Sequence, residues 1–106
     1  MVFFKTREFE FGARRVLWYC PRGGSDFAEV ENICQQIKDG NYESWYRGWK
    51  DGAEKLLKRT QRYSSKISRG HAFLRASRYF QASEFFLSPL DKRKNRRLPI
   101  ISSIFL

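Results

Sequence analysis

The sequence predicts an all-α fold: about three main helices, an irregular N-terminal arm before them, and a C-terminal tail of different character. Two observations carry this. Apolar side chains recur at steps of three and four through residues 27–37, 42–60 and 70–87. Residues that start and stop helices bracket these stretches: Ser25-Asp26 and Asn41 precede the first two, and Gly40 and Ser88-Pro89 follow the first and third.

The arm comes first. Residues 3–20 alternate only loosely, with Phe9 and Phe11 flanking Glu10 and then Val16-Leu17-Trp18-Tyr19. A short strand and an irregular arm ending in a helical turn are both open here, because so short an apolar run fits either. Pro21-Arg22-Gly23-Gly24 breaks the chain.

Asp26 or Ser25 then supplies an N-cap oxygen, with Glu29 placed for a capping box. Phe27, Val30, Ile33, Cys34 and Ile37 form the apolar stripe of this helix, and Asp39-Gly40 stops it. Asn41 caps the next, whose stripe is Tyr42, Trp45, Tyr46, Trp49, Ala53, Leu56, Leu57 and Thr60. Gly52 in its middle costs about 1 kcal/mol relative to Ala, which fits either close helix packing or simply a tolerated cost. The third helix is expected over Gly70–Leu87, after a polar connection through Ser68. Phe73, Leu74, Ala76, Tyr79, Phe80, Ala82, Phe85, Phe86 and Leu87 give it apolar surface on most of its circumference. It therefore needs partners on more than one side.

The expected organisation is an arm at 1–24, a helical domain at 25–91 and a basic then apolar tail at 92–106. The chain has 106 residues and an aromatic share of 17%, too rich for a disordered tail. Its net charge of +10 is uneven, and the run Lys92-Arg93-Lys94-Asn95-Arg96-Arg97 supplies five of the positive charges.

Catalytic, cofactor and metal residues are all expected to be none. Cys20 and Cys34 form no metal or disulfide framework, and read as reduced, mostly buried thiols of a cytoplasmic protein. The single His71 has no ligand set, and no Gly-x-Ser-x-Gly elbow exists for a serine nucleophile. Gly23-Gly24-Ser25-Asp26 resembles a phosphate-cradling turn, but Asp26, Glu29 and Glu31 would repel an anion. On residues 45–70 aromatics fall on one helical face and charges mostly on the other, the pattern of a core stripe, so nucleic acid is not the expected partner. No signal peptide or membrane span is expected.

Several blocks together resemble the N-terminal helical region of one branch of the α/β-hydrolase superfamily. They are Phe9-x-Phe11 with Arg14 or Arg15, Gly23-Gly24-Ser25-Asp26-x-x-Glu29-Val30, Asp39-Gly40-x-x-Glu43-Ser44-Trp45 and Trp49-x-x-x-Ala53. The most specific is Gly70-His71 with Leu74-Arg75-Ala76-Ser77-x-Tyr79 and Ala82-x-Glu84-Phe85-Phe86-Leu87. The branch includes 2,6-dihydroxypseudooxynicotine hydrolase and the fungal pigment hydrolases that shorten polyketides, with FrsA-like proteins more distant. The resemblance runs roughly over residues 9–93, and the tail beyond departs from it.

The resemblance implies a helical cap without its catalytic domain, from a truncated or frameshifted gene or a fragment, and inactive alone. The parent activity it implies is serine hydrolysis of a carbonyl substrate, an ester or a carbon–carbon bond. The expected partner is the missing catalytic domain, or a second copy in a homo-oligomer held by exposed aromatic surface. Trp45, Trp49, Phe73, Phe80, Phe85 and Phe86 are the aromatics expected to pack together or stay partly exposed. The alternative is a small basic helical module that binds nucleic acid or an acidic protein.

Overall fold

A computed structural model describes residues 2–94. Four α-helices form: α1 (Arg7–Leu17), α2 (Phe27–Gln35), α3 (Tyr42–Thr60) and α4 (Lys66–Ser83), with a short 3₁₀ turn at Cys20–Arg22 between the first two. No strand occurs among the described residues, so the all-α expectation holds. Of the expected tail at 92–106, residues 95–106 lie outside the described residues.

α3 and α4 form an antiparallel pair. The Trp45 indole near the start of α3 donates to the Ala82 carbonyl near the end of α4 at 2.8 Å. That bond satisfies one of the carbonyls a helix leaves open at its C-terminus. Large residues of α3 (Trp45, Trp49, Leu56) and small residues of α4 (Ala72, Ala76, Ala82) are all buried. Bulk on one helix against small residues on the other lets the two approach closely.

The N-terminal arm is helical over Arg7–Leu17 rather than irregular. Phe9, Gly12, Ala13 and Val16 are its buried residues, at steps of three, one and three. Gly12 hides this stripe from a hydropathy reading, yet it is what seats the helix. A β-carbon there would lie 2.9 Å from the Trp45 ring. Phe9 in turn touches Phe4, Trp45 and Phe86, with ring centroids 5.5, 4.9 and 5.3 Å away.

Two carboxylates hold the entry to α1. Glu10 accepts from the amides of Phe3 and Phe4 at 2.7 and 2.9 Å. Asp39 accepts from those of Lys5 and Thr6 at 2.7 and 3.2 Å. Four consecutive N–H groups are satisfied this way, ahead of the helix's own ladder.

α2 starts where the sequence places it, with the Asp26 carboxylate accepting from the Glu29 amide at 3.1 Å. It ends at Gln35, and Gly40 takes φ +81° beyond it. Asn41 caps α3 by accepting from the Ser44 amide at 2.8 Å. α2 crosses α3 at two glycines. β-Carbons at Gly48 and Gly52 would meet the side chains of Ile37 and Ile33 at 2.6 and 2.5 Å. Of the two readings open at Gly52, close packing is therefore the one present, and Gly48 one turn earlier shares it.

α4 begins four residues before the expected Gly70. Ser65 caps it, accepting from the Ser68 amide at 3.2 Å, so the polar Ser68 connection is already helix. It also ends earlier, at Ser83. The Phe85 and Leu87 amides instead make tight bonds to the carbonyls of Ala82 and Glu84. This turn swings Phe85 and Phe86 back toward α1. The two-sided apolar character of the sequence thus finds partners inside the chain.

Candidate functional site

Three residues of α2 and α4 form a half-buried polar cluster. The Tyr79 hydroxyl donates to Glu29 at 2.7 Å and accepts from the Asp26 amide at 3.0 Å. Arg75, one turn earlier on α4, grips the same carboxylate through Nε at 2.8 Å and Nη2 at 3.2 Å. Burial, followed by the bond to Glu29, raises the Tyr79 phenol well above its usual range. The Arg75 guanidinium is also raised, because Glu29 outweighs the opposing effect of burial. Every group here is committed to another, so the cluster is a clasp without a proton to spare for chemistry.

The capping box expected at Asp26 and Glu29 is thereby modified. Glu29 does not reach back to the Asp26 amide itself, and the Tyr79 hydroxyl bridges the two. At the N-terminus of α2 the Asp26 carboxylate accepts from the Glu29 amide and the phenol accepts from the Asp26 amide.

His71 is exposed on α4. It borders a basin with Arg62, Ser65 and Ser68, where the Ser65 hydroxyl is already spent on capping. An open groove of about 840 Å³ runs between α2 and α3 past Ile33, Gly48 and Gly52. The serine on its wall, Ser44, gives its hydroxyl to the backbone of Lys38 and Asn41. No group of three or more His, Cys, Asp or Glu residues suited to a metal exists among the described residues.

The thiols separate. Cys34 is buried, and burial pushes its thiol up to about 12. Cys20 is exposed on the 3₁₀ turn, contrary to the expectation that both are mostly buried. All three residues of that turn are exposed.

The aromatics expected to pack together or stay partly exposed do both, Trp45 meeting Trp49, Phe85 and Phe86. Trp45, Trp49 and Phe80 are buried, and Phe73, Phe85 and Phe86 are half-buried. Among the described residues the most exposed aromatics are Trp18 (65%) and Phe11 (57%), with Tyr42 at the start of α3 at 51% and Phe27 at the start of α2 at 43%. The rings of Phe11 and Trp18 meet edge to face at 6.0 Å. Arg15 lies between them in sequence, and its guanidinium covers the Phe85 ring at 4.6 Å. Spacings of four and three put Phe11, Arg15 and Trp18 on one side of the helix. That spacing is visible in the sequence, but the segment has to be recognised as helical before it means anything.

The geometry is therefore that of a packed helical segment with aromatic side chains left exposed on and after α1 and at the starts of α2 and α3, and comparison with known proteins says where such segments occur. The chain is 38% identical to the hydrolase acrC of Aspergillus aculeatus over 88 residues, which is 80% of this chain and 21% of that one. It is similar to fungal hydrolases. The 20-hydroxy-prefusarin hydrolase FUS2 of Gibberella moniliformis is 37% identical over 85% of this chain and 23% of its own length. The alpha/beta hydrolase xenA of Xenoacremonium sinensis is 33% identical over 80% and 21%. The chain spans about a fifth of the length of these curated relatives. No family model and no solved structure matches it.

The resemblance read from the sequence is thus to the right proteins, and the structure explains two of its blocks. Gly-Gly-Ser-Asp-x-x-Glu and Leu-Arg-Ala-Ser-x-Tyr are the two halves of the Asp26–Glu29–Arg75–Tyr79 clasp. No helix among the described residues is long and apolar enough to cross a membrane.

Proposed function

We propose that this chain is the N-terminal helical cap segment of an α/β-hydrolase-like serine hydrolase, and that it is catalytically incompetent alone. The activity of the whole enzyme is hydrolysis of a carbonyl substrate, at an ester or a carbon–carbon bond. The observation that carries this reading is the match of four-fifths of the chain to a fifth of each of several hydrolases. The site geometry supports it: the Ser44 hydroxyl bonds to backbone carbonyls, and Tyr79 is hydrogen-bonded to Glu29.

The boundaries 25–91 for the cap-like domain and 1–24 for its arm belong to the same proposal. So does a cytoplasmic location, which two free thiols suit. The surface charge favours this reading over a nucleic-acid module. Arg47, Lys50 and Arg59 of α3 each stand 3.7–3.8 Å from a carboxylate, of Glu43, Glu54 and Glu29. Pairing of this kind lessens the positive charge these three side chains would offer a phosphate, though Glu29 is shared with Arg75 and Glu43 with Arg93.

The test is an ester assay on the purified 106-residue chain. No turnover above buffer is expected with activated esters. Saturable turnover that a serine-directed inhibitor abolishes overturns the proposal.

A further inference from the structure

The turn from α3 to α4 opens a basin of about 500 Å³ whose wall carries Arg62, Ser64, Ser65, Ser68, His71 and Arg75. No carboxylate lines it among the described residues. The surrounding chain offers none either: no Asp or Glu occurs from Lys55 to Ser83, a span rich in Lys and Arg. Earlier on α3 the cations have acids at hand, Arg47 standing 3.8 Å from Glu43 and Lys50 3.7 Å from Glu54. At the basin Arg62 and His71 are exposed, and neither is paired with a carboxylate among the described residues.

Parts of this wall are held in place by the fold. Arg69 reaches back from α4 to the carbonyls of Tyr63 and Ser64 at 2.7 and 3.3 Å, which fixes the loop bearing Ser64 and Ser65. Arg75 spends Nε and Nη2 on Glu29, and its Nη1 takes no part in that grip. Arg59 approaches the same carboxylate at 3.8 Å, so Glu29 is outnumbered by cations. The Ser65 oxygen is spent as an acceptor in the α4 cap, and what it still offers is its hydroxyl proton. Donors set before a ligand arrives cost less to order when it binds.

We infer that this basin binds the phosphate group of a phosphate monoester. Two guanidinium groups, an imidazole and three hydroxyls supply more donors than a carboxylate can accept, and guanidinium forks pair with phosphate oxygens in twos. The basin is larger than a phosphate and falls in the size range of small-molecule sites, so the organic part of the ester has room beside it. The inference goes beyond the hydrolase reading and is tested apart from it.

The test is a magnetic-resonance titration of the isotope-labelled chain with phenyl phosphate at constant ionic strength. Vesicles of phosphatidylcholine with phosphatidic acid are the second probe. The amides of residues 64–68 are expected to shift saturably, with a Kd of about 1 mM or tighter. Arg62→Gln with His71→Gln should weaken binding about tenfold, and because both side chains are exposed the melting point should stay in place. Arg47→Gln with Lys50→Gln removes more positive charge from the first half of α3 and should leave binding unchanged. Saturation by phenyl phosphate supports a soluble ester as the source. Shifts of the same amides with the vesicles alone support the phosphate of a lipid. No saturable shift with either probe, or equal weakening by the two pairs of substitutions, overturns the inference, since this end of the bundle is then a diffuse positive surface. Neither result would touch the hydrolase reading, which the ester assay tests.

Discussion

The Tyr79 hydroxyl stands 2.7 Å from the Glu29 carboxylate and 3.0 Å from the Asp26 amide nitrogen, so a phenol on α4 closes the N-terminal cap of α2. Removing it in Tyr79→Phe strands the amide and takes one donor from a half-buried carboxylate. The expected loss is about 1–3 kcal/mol, read by urea unfolding. A double-mutant cycle with Glu29→Gln should show coupling between the two positions. Additive losses would mean the clasp contributes nothing beyond packing.

Glycine to alanine substitutions should separate by position. At Gly52 the new methyl meets Ile33 at 2.5 Å, close to its branch as well as its tip. The helix-propensity gain of about 1 kcal/mol is then overtaken by overpacking of about 1–3 kcal/mol, and the melting point should drop. At Gly70 nothing lies within 4 Å, and the same change should raise it. Ile33→Ala combined with Gly52→Ala should recover part of the loss.

The cysteines should titrate apart. Ellman's reagent at pH 8 should modify Cys20 rapidly and Cys34 only after denaturant is added, because the buried thiol is pushed up to about 12 and shielded. Two rapid equivalents from the native chain would contradict the packing of α2.

The seating of α1 should weaken in acid. Burial acts to raise Glu10, but the Phe4 amide, Arg14 and the Phe3 amide together hold it below the ordinary carboxylate value. The Thr6 side chain, with the Lys5 and Thr6 amides, holds Asp39 low as well. Folded-state values lower than unfolded ones give stability that is complete above the unfolded pKa of about 4. That stability is lost as pH falls through the depressed values. Amide exchange at residues 3–6 should therefore accelerate relative to the α3 core below about pH 4. Glu10→Gln with Asp39→Asn should remove that dependence.

How much of this was legible in the sequence depended on how local each signal was. The caps at Asp26 and Asn41 and the stop at Gly40 lie within a few residues of the turns and helices they govern. They could be read directly. Gly12 broke the apolar stripe of α1, so its helix looked like an arm. Ser65 and Ser68 looked like a connection because polar residues open a helix as readily as they end one.

The sequence by itself determined an all-α chain, its capping points and its likeness to hydrolases, because periodicity, caps and motif blocks are properties of neighbours along the chain. Only the tertiary structure decided that Tyr79 bridges to Asp26 and Glu29, 53 and 50 residues away. It also decided that Trp45 and Trp49 are covered while Phe11 and Trp18 are not. Exposure depends on which other element arrives to cover a face. Here α1 and the turn after α4 cover Trp45, and Tyr79 of α4 packs on Trp49, while Phe11 and Trp18 are left exposed among the described residues.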